Sequence, residues 1–462
     1  MQDLTQGSIP KHLASLAIPI AAGMLFQTLY ILVDLYFVAR LGDAAIAGVS
    51  AAANIFMIVM ALSQVLGVGS MALIAQATGR KDQPDANLIF NQSLVLAGTC
   101  AAITLVVGYI FSPVYMHGLG ADDATAQAGI DYLNWFLPGM ALQFALVSMG
   151  SALRGTGIAK PTMVVQVISV LLNTILAPVL IAGWGTGHAM GVAGAGLASS
   201  IATAVAVLML LIYFVRLEHF VSFTAAMFVP RLEAWSRILR IGLPSGGEFA
   251  LMFLFNAVIY WIIRDYGAEA QAGFGLGMRV MQSIFLPAMA VSFAAAPLAG
   301  QNVGAGLYDR VRQTFRTAAG TGASIMLVLT ILCQFKPEVL IMGFTTDQAV
   351  IAVGAQFLQY ISWNFIASGF IFTCSGLFQA LGNTVPALFS SASRLITFAL
   401  PALLLSRYPW FEMQHLWLLS VASAAVQTLI SYLLLRREFA RRVPLTAPSS
   451  PDSSVVLGQA AL

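Results

Sequence analysis

Two carboxylates stand deep inside long apolar runs of this sequence, Asp34 and Glu248; nearly all the rest of its 19 Asp and Glu fall in polar segments or at the ends of such runs. Holding an ionisable side chain at depth in a membrane costs roughly 2.5–3.5 kcal/mol on insertion scales, so a carboxylate kept there usually faces an interior cavity and serves function. Gln27 and Tyr30 precede Asp34 by seven and four positions, which sets an amide, a phenol and a carboxylate on one helical face. Such a group can take up and release a proton or a small cation. The plainer reading is a buried Asp whose oxygens are merely satisfied by hydrogen bonds. Pro19 lies in the same run. A proline inside a helix frees backbone carbonyls and bends the axis, giving either a gate that answers to Asp34 or a static kink.

Glu248 follows Pro244-Ser245-Gly246-Gly247. The small residues leave space beside the carboxylate for a substrate or a partner helix; the group reads equally well as half of a structural ion pair with Arg394. Arg279 can bind an anionic group, or it can carry its charge outward along its alkyl stem, since it lies near a helix end. Asn54, Gln64, Asn173, Ser199 and Ser200 are polar residues in apolar surroundings of the first half, where each can bridge helices.

Several chemistries are excluded. The five histidines (His12, His117, His188, His219, His415) sit at the ends of apolar runs or between them. No paired carboxylates, zinc-spaced histidines or Ser/His pair lie at depth, so the chain is not read as an enzyme. Cys100, Cys333 and Cys374 have the spacing of neither a metal site nor a disulfide frame and are read as packing residues. The run Gly191 to Gly196 follows no strand and reads as close helix packing, not as a phosphate loop. The net charge is +3 and the basic residues are scattered, which leaves no nucleic-acid footprint.

The elements that must position these groups are transmembrane helices. Hydrophobic residues make up 59% of the 462 and charged residues 9%, against about 25% charged in a soluble domain. Apolar runs long enough to cross a bilayer recur at roughly 13–39, 49–77, 88–114, 128–152, 161–183, 190–216, 238–264, 274–299, 312–335, 350–380, 384–405 and 414–436. If the N-terminus is cytoplasmic, sixteen Lys and Arg fall inside, four (Arg40, Arg264, Lys336, Arg407) fall outside, and Arg279 and Arg394 lie within spans. That bias places both termini in the cytoplasm of an inner, plasma-membrane protein.

A single register of 225 positions relates the two halves: Pro19 to Pro244, Gly42 to Gly267, Gly48 to Gly273, Gln76 to Gln301, Gly79 to Gly304, Gly129 to Gly354, Gly157 to Gly382 and Pro161 to Pro386. Gly and Pro matches mark kinks and close approaches rather than shared greasiness. The fold class expected is an all-α polytopic membrane protein of twelve helices in two pseudo-symmetric six-helix lobes, parallel repeats about an axis along the membrane normal. The expected divisions are a cytoplasmic N-terminus (1–12), an N-lobe (13–216), a cytoplasmic linker (217–237), a C-lobe (238–436) and a disordered cytoplasmic tail (437–462).

This six-plus-six repeat resembles the multidrug and toxic compound extrusion (MATE) family. The residues that carry the likeness are IPIAAGMLFQTLYILVDLYFVARLG in the first span, GVGSMALIAQATGRKD, LRGTGIAKP, GVAGAGLAS and GQNVGAG. The DinF-like branch is the most similar. That resemblance implies Asp34 as the protonation or cation site, Pro19 as the bending proline, and Gln27, Tyr30, Asn173 and Ser199 beside them. That branch often has a second Asp four residues after the Asn; here the position is Ala177. One carboxylate favours a proton, with Na+ at Asp34 and Asn173 as the other coupling ion. The C-lobe acids of the NorM-like branch are not carried over, because 365–382 holds no acid and Glu248 sits closer to its proline than that branch would place it.

The function expected is a secondary antiporter that exports amphipathic, often cationic, organic molecules in exchange for H+ or Na+ by alternating access. It would use no cofactor beyond the coupling ion, have the lipid bilayer and its small-molecule substrates as partners, and act as a monomer. The rival is a lipid-linked oligosaccharide flippase, which would need clustered basic residues at depth for a pyrophosphate. A non-transporting scaffold would leave Asp34 unexplained.

Overall fold

The computed structural model describes residues 1–119, 122–185 and 187–442, and no strand occurs among them. The helices are α1 (Ile9–Ala39), α2 (Asp43–Gly79), α3 (Gln83–Gly118), α4 (Asp123–Gly155), α5 (Lys160–Ala182), α6 (Val192–Arg216), α7 (Leu232–Ile263), α8 (Ala268–Gly304), α9 (Tyr308–Phe335), α10 (Pro337–Met342), α11 (Gln348–Ile361), α12 (Asn364–Ala380), α13 (Val385–Leu405) and α14 (Met413–Arg442). Eleven of these are long and apolar enough to span a bilayer, and α11 with α12 form a twelfth span bent by 58°. α1–α6 build the N-lobe and α7–α14 the C-lobe.

Three boundaries differ from those expected. α7 begins at Leu232, so the last six residues of the expected linker are helical, and α14 runs to Arg442, so the first six residues of the expected tail are helical too. Both stretches are amphipathic or charged, and hydropathy does not register a helix that leaves the membrane. α1 begins at Ile9 with Pro10 in its first turn, a position where a missing N–H costs nothing. Residues 443–462 lie outside the described residues.

The linker is tied to the N-lobe. Asn87, Asn91 and Gln92 of α3 form a polar stripe that replaces the hydrogen bonds its backbone would otherwise make to water. Ser222 N donates to Asn87 Oδ1 (2.8 Å), Thr224 N to Asn91 Oδ1 (3.0 Å) and Arg231 N to Gln92 Oε1 (2.8 Å). Asn91 Nδ2 and Gln92 Nε2 return the bond to the Ser222 and Met227 carbonyls. Asp85 of α3 then takes a two-pronged contact from Arg237 of α7 at 2.8 and 2.9 Å. Asn91→Leu removes two of the linker bonds, at about 1 kcal/mol each. Limited proteolysis is expected to cut the variant faster between 217 and 231; an unchanged rate would mean the stripe is not what holds the linker.

The 225-residue register recurs as paired contacts. Gln76 Nε2 donates to the Ala380 carbonyl at 2.8 Å, and Gln301 Nε2 to the Gly155 carbonyl at 3.0 Å. In α4, Pro138 leaves the Asn134 carbonyl without its helical donor; Tyr109 Oη supplies one at 3.0 Å. The equivalent break in the C-lobe is the α11–α12 bend, where Gln334 Nε2 donates to the Gln359 carbonyl at 2.7 Å. The C-lobe has Trp363 where the N-lobe has Pro138; α4 stays one continuous helix through its proline, while the C-lobe span breaks without one.

The lobes meet at the end of the bundle that carries the Arg and Lys excess, here called the basic face. Leu13, Leu16 and Ala17 of α1 bury themselves with Val291, Ala294 and Leu298 of α8. In the same way Ile238 and Gly242 of α7 press on Gly69 and Val65 of α2. Each lobe therefore lends the first half of its first helix to the other. Residues 1–8 lie across this seam: Gln2 N donates to the Thr156 carbonyl at 2.8 Å, and Leu4 N to Gln301 Oε1 at 3.0 Å.

Candidate functional site

Pro19 divides α1. Before it, Leu13 and Ala17 pack on the C-lobe; after it, the helix runs along α5 of its own lobe, with Gly23 beside the Met163 backbone. Asp34 sits five residues from the far end of this second segment. There the structure brings together four of the residues singled out in the sequence. Asn173 Nδ2 of α5 donates to Asp34 Oδ1 at 2.9 Å and Ser199 Oγ of α6 to Asp34 Oδ2 at 3.0 Å. Tyr30, one turn before Asp34, lies against Ser199. Asn173 and Ser199 are wholly buried. Gln27 is partly buried on the same helix and has no side-chain hydrogen bond recorded among the described residues.

The arrangement fits a group that changes charge. Both donors aim at the carboxylate, which suits its ionised form. The buried Asn173 Oδ1 has no protein partner, so when the amide turns over it can accept the O–H of a protonated Asp34. With the amide turned over, that oxygen and the two of the Asp34 carboxylate offer three oxygens to a hard cation. Ala177, one turn on, is buried and contributes none. Among the described residues no three His, Cys, Asp or Glu cluster to hold a metal. Asn173→Ala deletes one hydrogen bond to a charge, worth about 1.5–3 kcal/mol. It is expected to slow gradient-driven transport about tenfold or more; parental rates across pH would remove Asn173 from the site.

The C-lobe does not repeat this cluster. The positions 225 residues on from Tyr30, Asp34 and Asn173 are Phe255, Ile259 and Phe398. Phe255 and Phe398 pack with ring centroids 4.5 Å apart, and Ile259 is buried. An aromatic pair thus stands where the N-lobe has a phenol and an amide, and an isoleucine where it has the carboxylate.

Glu248 has a separate environment, one proline turn into α7. Ser375 Oγ donates to Glu248 Oε2 at 3.0 Å and Ser391 Oγ to Oε1 at 3.4 Å. It makes no ion pair with Arg394, so that reading of the sequence is corrected. Arg394 instead stacks its guanidinium over Phe255, 4.6 Å from the ring centroid, and its Nε is buried without a partner. Hydroxyls on α12 and α13 reach Glu248 first, while Arg394 lies nearly one turn further along α13 than Ser391 and is drawn to the ring. Arg279 is exposed in the outer part of α8, which fits a charge carried outward along its stem. It borders a cavity of about 670 Å³ at the far end of the C-lobe.

Sequence reasoning missed Tyr132 of α4, which is buried within electrostatic reach of both Asp34 and Tyr30, and the serines of Glu248. A lone phenol or hydroxyl in an apolar run gives no local signal. Asking which positions break the 225-residue register in polarity would have found Ser375, whose N-lobe counterpart is Gly150.

A family model, MatE, matches residues 19–179 and again 244–404, two segments offset by the same 225 positions. The probable multidrug resistance protein YoeA of Bacillus subtilis is 25% identical over 436 residues, covering 93% of this chain and 94% of its own. The multidrug export protein MepA of Staphylococcus aureus is 28% identical over 378 residues, 81% and 82% of the two chains. In fold, the chain resembles a multidrug resistance MATE family transporter solved in an outward-facing conformation, with a TM-score of 0.88, 24% identity and coverage of 95% and 98%.

Proposed function

The chain belongs to the MatE family of multi-pass membrane transporters, and on that premise we propose that it is a proton-driven antiporter that exports amphipathic, often cationic, organic molecules from the cytoplasm. Its relatives YoeA and MepA are named for multidrug resistance and multidrug export. The basic face is assigned to the cytoplasm of the inner membrane by the Lys and Arg bias.

The observation that carries the reading is the cluster of Asp34, Asn173 and Ser199 on the far segment of a helix whose near segment belongs to the other lobe. Ionised Asp34 draws Asn173 and Ser199 onto α1 and, in this reading, attracts a cationic substrate into a cleft between the outer halves of the two lobes. A proton arriving from the outside discharges the carboxylate, weakens its charge-assisted bonds to α5 and α6, and lets α1 bend at Pro19. The bend fills the N-lobe side of the cleft and expels the substrate. Because α1 is seated on α8 before Pro19, the same movement strains the seam at the basic face and favours its opening. A proton needs one carboxylate and no coordination shell, whereas a sodium ion needs several oxygens around it, and Asp34 is the one carboxylate in this cluster.

The test is rhodamine 6G efflux from proteoliposomes under an imposed proton gradient or an imposed sodium gradient, each at zero membrane potential. Efflux driven by protons alone is the expected result. Efflux driven by sodium alone would replace the proton with a metal at Asp34 and Asn173.

A further inference from the structure

We propose that the cavity at the outer end of the C-lobe is an oxyanion subsite, in which Arg279 binds the carboxylate or phosphate of an amphipathic aromatic substrate. The inference rests on the reading of the chain as an exporter of organic amphiphiles and widens their class from cations to anions and zwitterions.

The cavity lies between the outer halves of α7 and α8 and the start of α11. Its volume of about 670 Å³ falls in the range of ligand pockets, roughly 300–1,000 Å³. Four polar residues border it: Arg279, Gln282 and Tyr260, all exposed, and the half-buried Asn256. Among the described residues none of the four makes a side-chain hydrogen bond, and Arg279 makes no ion pair. Apart from Thr345 and Asp347 the remaining wall is apolar, with Leu276, Met278 and Phe344. Cation, amide donors, phenol and greasy wall together match an organic anion with a ring system; a forked guanidinium binds a carboxylate or phosphate through two parallel bonds.

One carboxylate, Asp347, also borders the cavity, and its presence is explained without Arg279. Asp347 Oδ1 accepts the Ala349 and Val350 amides at 2.9 and 3.4 Å and so caps α11. Its N-lobe counterpart, Asp122, caps α4 in the same manner through the Thr125 amide at 3.0 Å. The acid therefore belongs to a helix start that both lobes share. Arg279 has no such duplicate. The N-lobe positions equivalent to Arg279, Gln282 and Tyr260 are Asn54, Met57 and Leu35. At these equivalent positions the N-lobe has an amide and two apolar side chains where the C-lobe has a cation, an amide and a phenol.

Two xanthene dyes of similar shape and opposite charge test this, the anion fluorescein and the cation rhodamine 6G. Their binding to the purified full chain in detergent is followed by fluorescence anisotropy for the parent, Arg279→Gln and Arg279→Lys. Arg279→Gln is expected to weaken fluorescein about tenfold or more, the scale of a charge-assisted contact. Arg279→Lys should recover most of that loss, and rhodamine 6G should bind all three chains alike. Absence of fluorescein binding to the parent, or equal loss of both dyes in Arg279→Gln, would overturn the proposal. Gradient-driven rhodamine 6G efflux is measured on the same preparations. Arg279-dependent fluorescein binding in a chain that transports nothing would uphold the subsite and overturn only the export reading.

Discussion

Asp34→Asn will leave the chain folded and inserted but unable to use a proton gradient. The substitution keeps the size and shape of the side chain and removes its charge. The surrounding groups can accommodate it. The introduced amide can still accept one donor through its oxygen, and its nitrogen can donate to Asn173 Oδ1, now a buried acceptor without a partner, once the Asn173 amide turns over. Ser199 Oγ can rotate to serve as either donor or acceptor. Stability should therefore change little. Transport should not survive, because the variant holds α1 permanently in the form that the parent reaches only on protonation. Efflux driven by an outward-acid gradient is expected to fall by at least about tenfold, a loss of about 1.4 kcal/mol or more, and its dependence on external pH should flatten. Binding of a cationic dye should weaken as well, since the negative charge in the cleft is gone. Parental efflux from Asp34→Asn at every external pH would end the role assigned to Asp34, and a collapse in thermal stability would reduce it to a structural acid.

What could be read from the sequence follows from which forces leave local marks. The apolar runs gave twelve spans because hydrocarbon thickness imposes a length on every helix that crosses it. Asp34 was legible for the complementary reason, that a charge at depth is too costly to persist unnoticed. Asn173 and Ser199 were reached through the family resemblance; in isolation each reads as interhelical glue, and only the fold carries α5 and α6 to Asp34 Oδ1 and Oδ2. The supposed Glu248–Arg394 pair failed because opposite charges in neighbouring helices suggest attraction but not register. Arg394 finds the Phe255 ring, and Glu248 finds two serines. The bend of the tenth span was invisible, because α11 and α12 meet at Ser362-Trp363 with no proline or glycine to announce it. Its counterpart Pro138 would have pointed to it through the 225-residue register.

The second large effect is expected at the seam between the lobes. At the inner ends of α2 and α8, Gly79 faces the Gln301 carbonyl and Gly304 faces the Gln76 carbonyl, and a Cβ at either glycine would overlap that oxygen. These are backbone atoms at the ends of two packed helices, so they cannot step aside as a flexible side chain would. Adding a methyl group to a tight interface costs about 1–3 kcal/mol. The cost falls only on the state in which the lobes are pressed together at the basic face; a state opened there has room for the methyl. Gly79→Ala with Gly304→Ala should therefore shift the population toward the inward-open state by about thirtyfold or more if the two costs add. Spin labels at exposed Lys81 and Arg312 should report a longer distance across the basic face, and efflux should fall because the outward-open state is scarce. Gly98→Ala with Gly320→Ala is the control. Both glycines are helical, a Cβ at either meets nothing within 4 Å, and alanine favours the helix by up to about 1 kcal/mol per site, so that variant should keep the parental distance. An unchanged distance in the Gly79/Gly304 variant would mean that the seam is held elsewhere, by the α1–α8 and α2–α7 crossings alone. A lengthened distance would place the pivot of alternating access on these two helix ends, where Gln76 and Gln301 already tie each lobe to the carbonyl of the other.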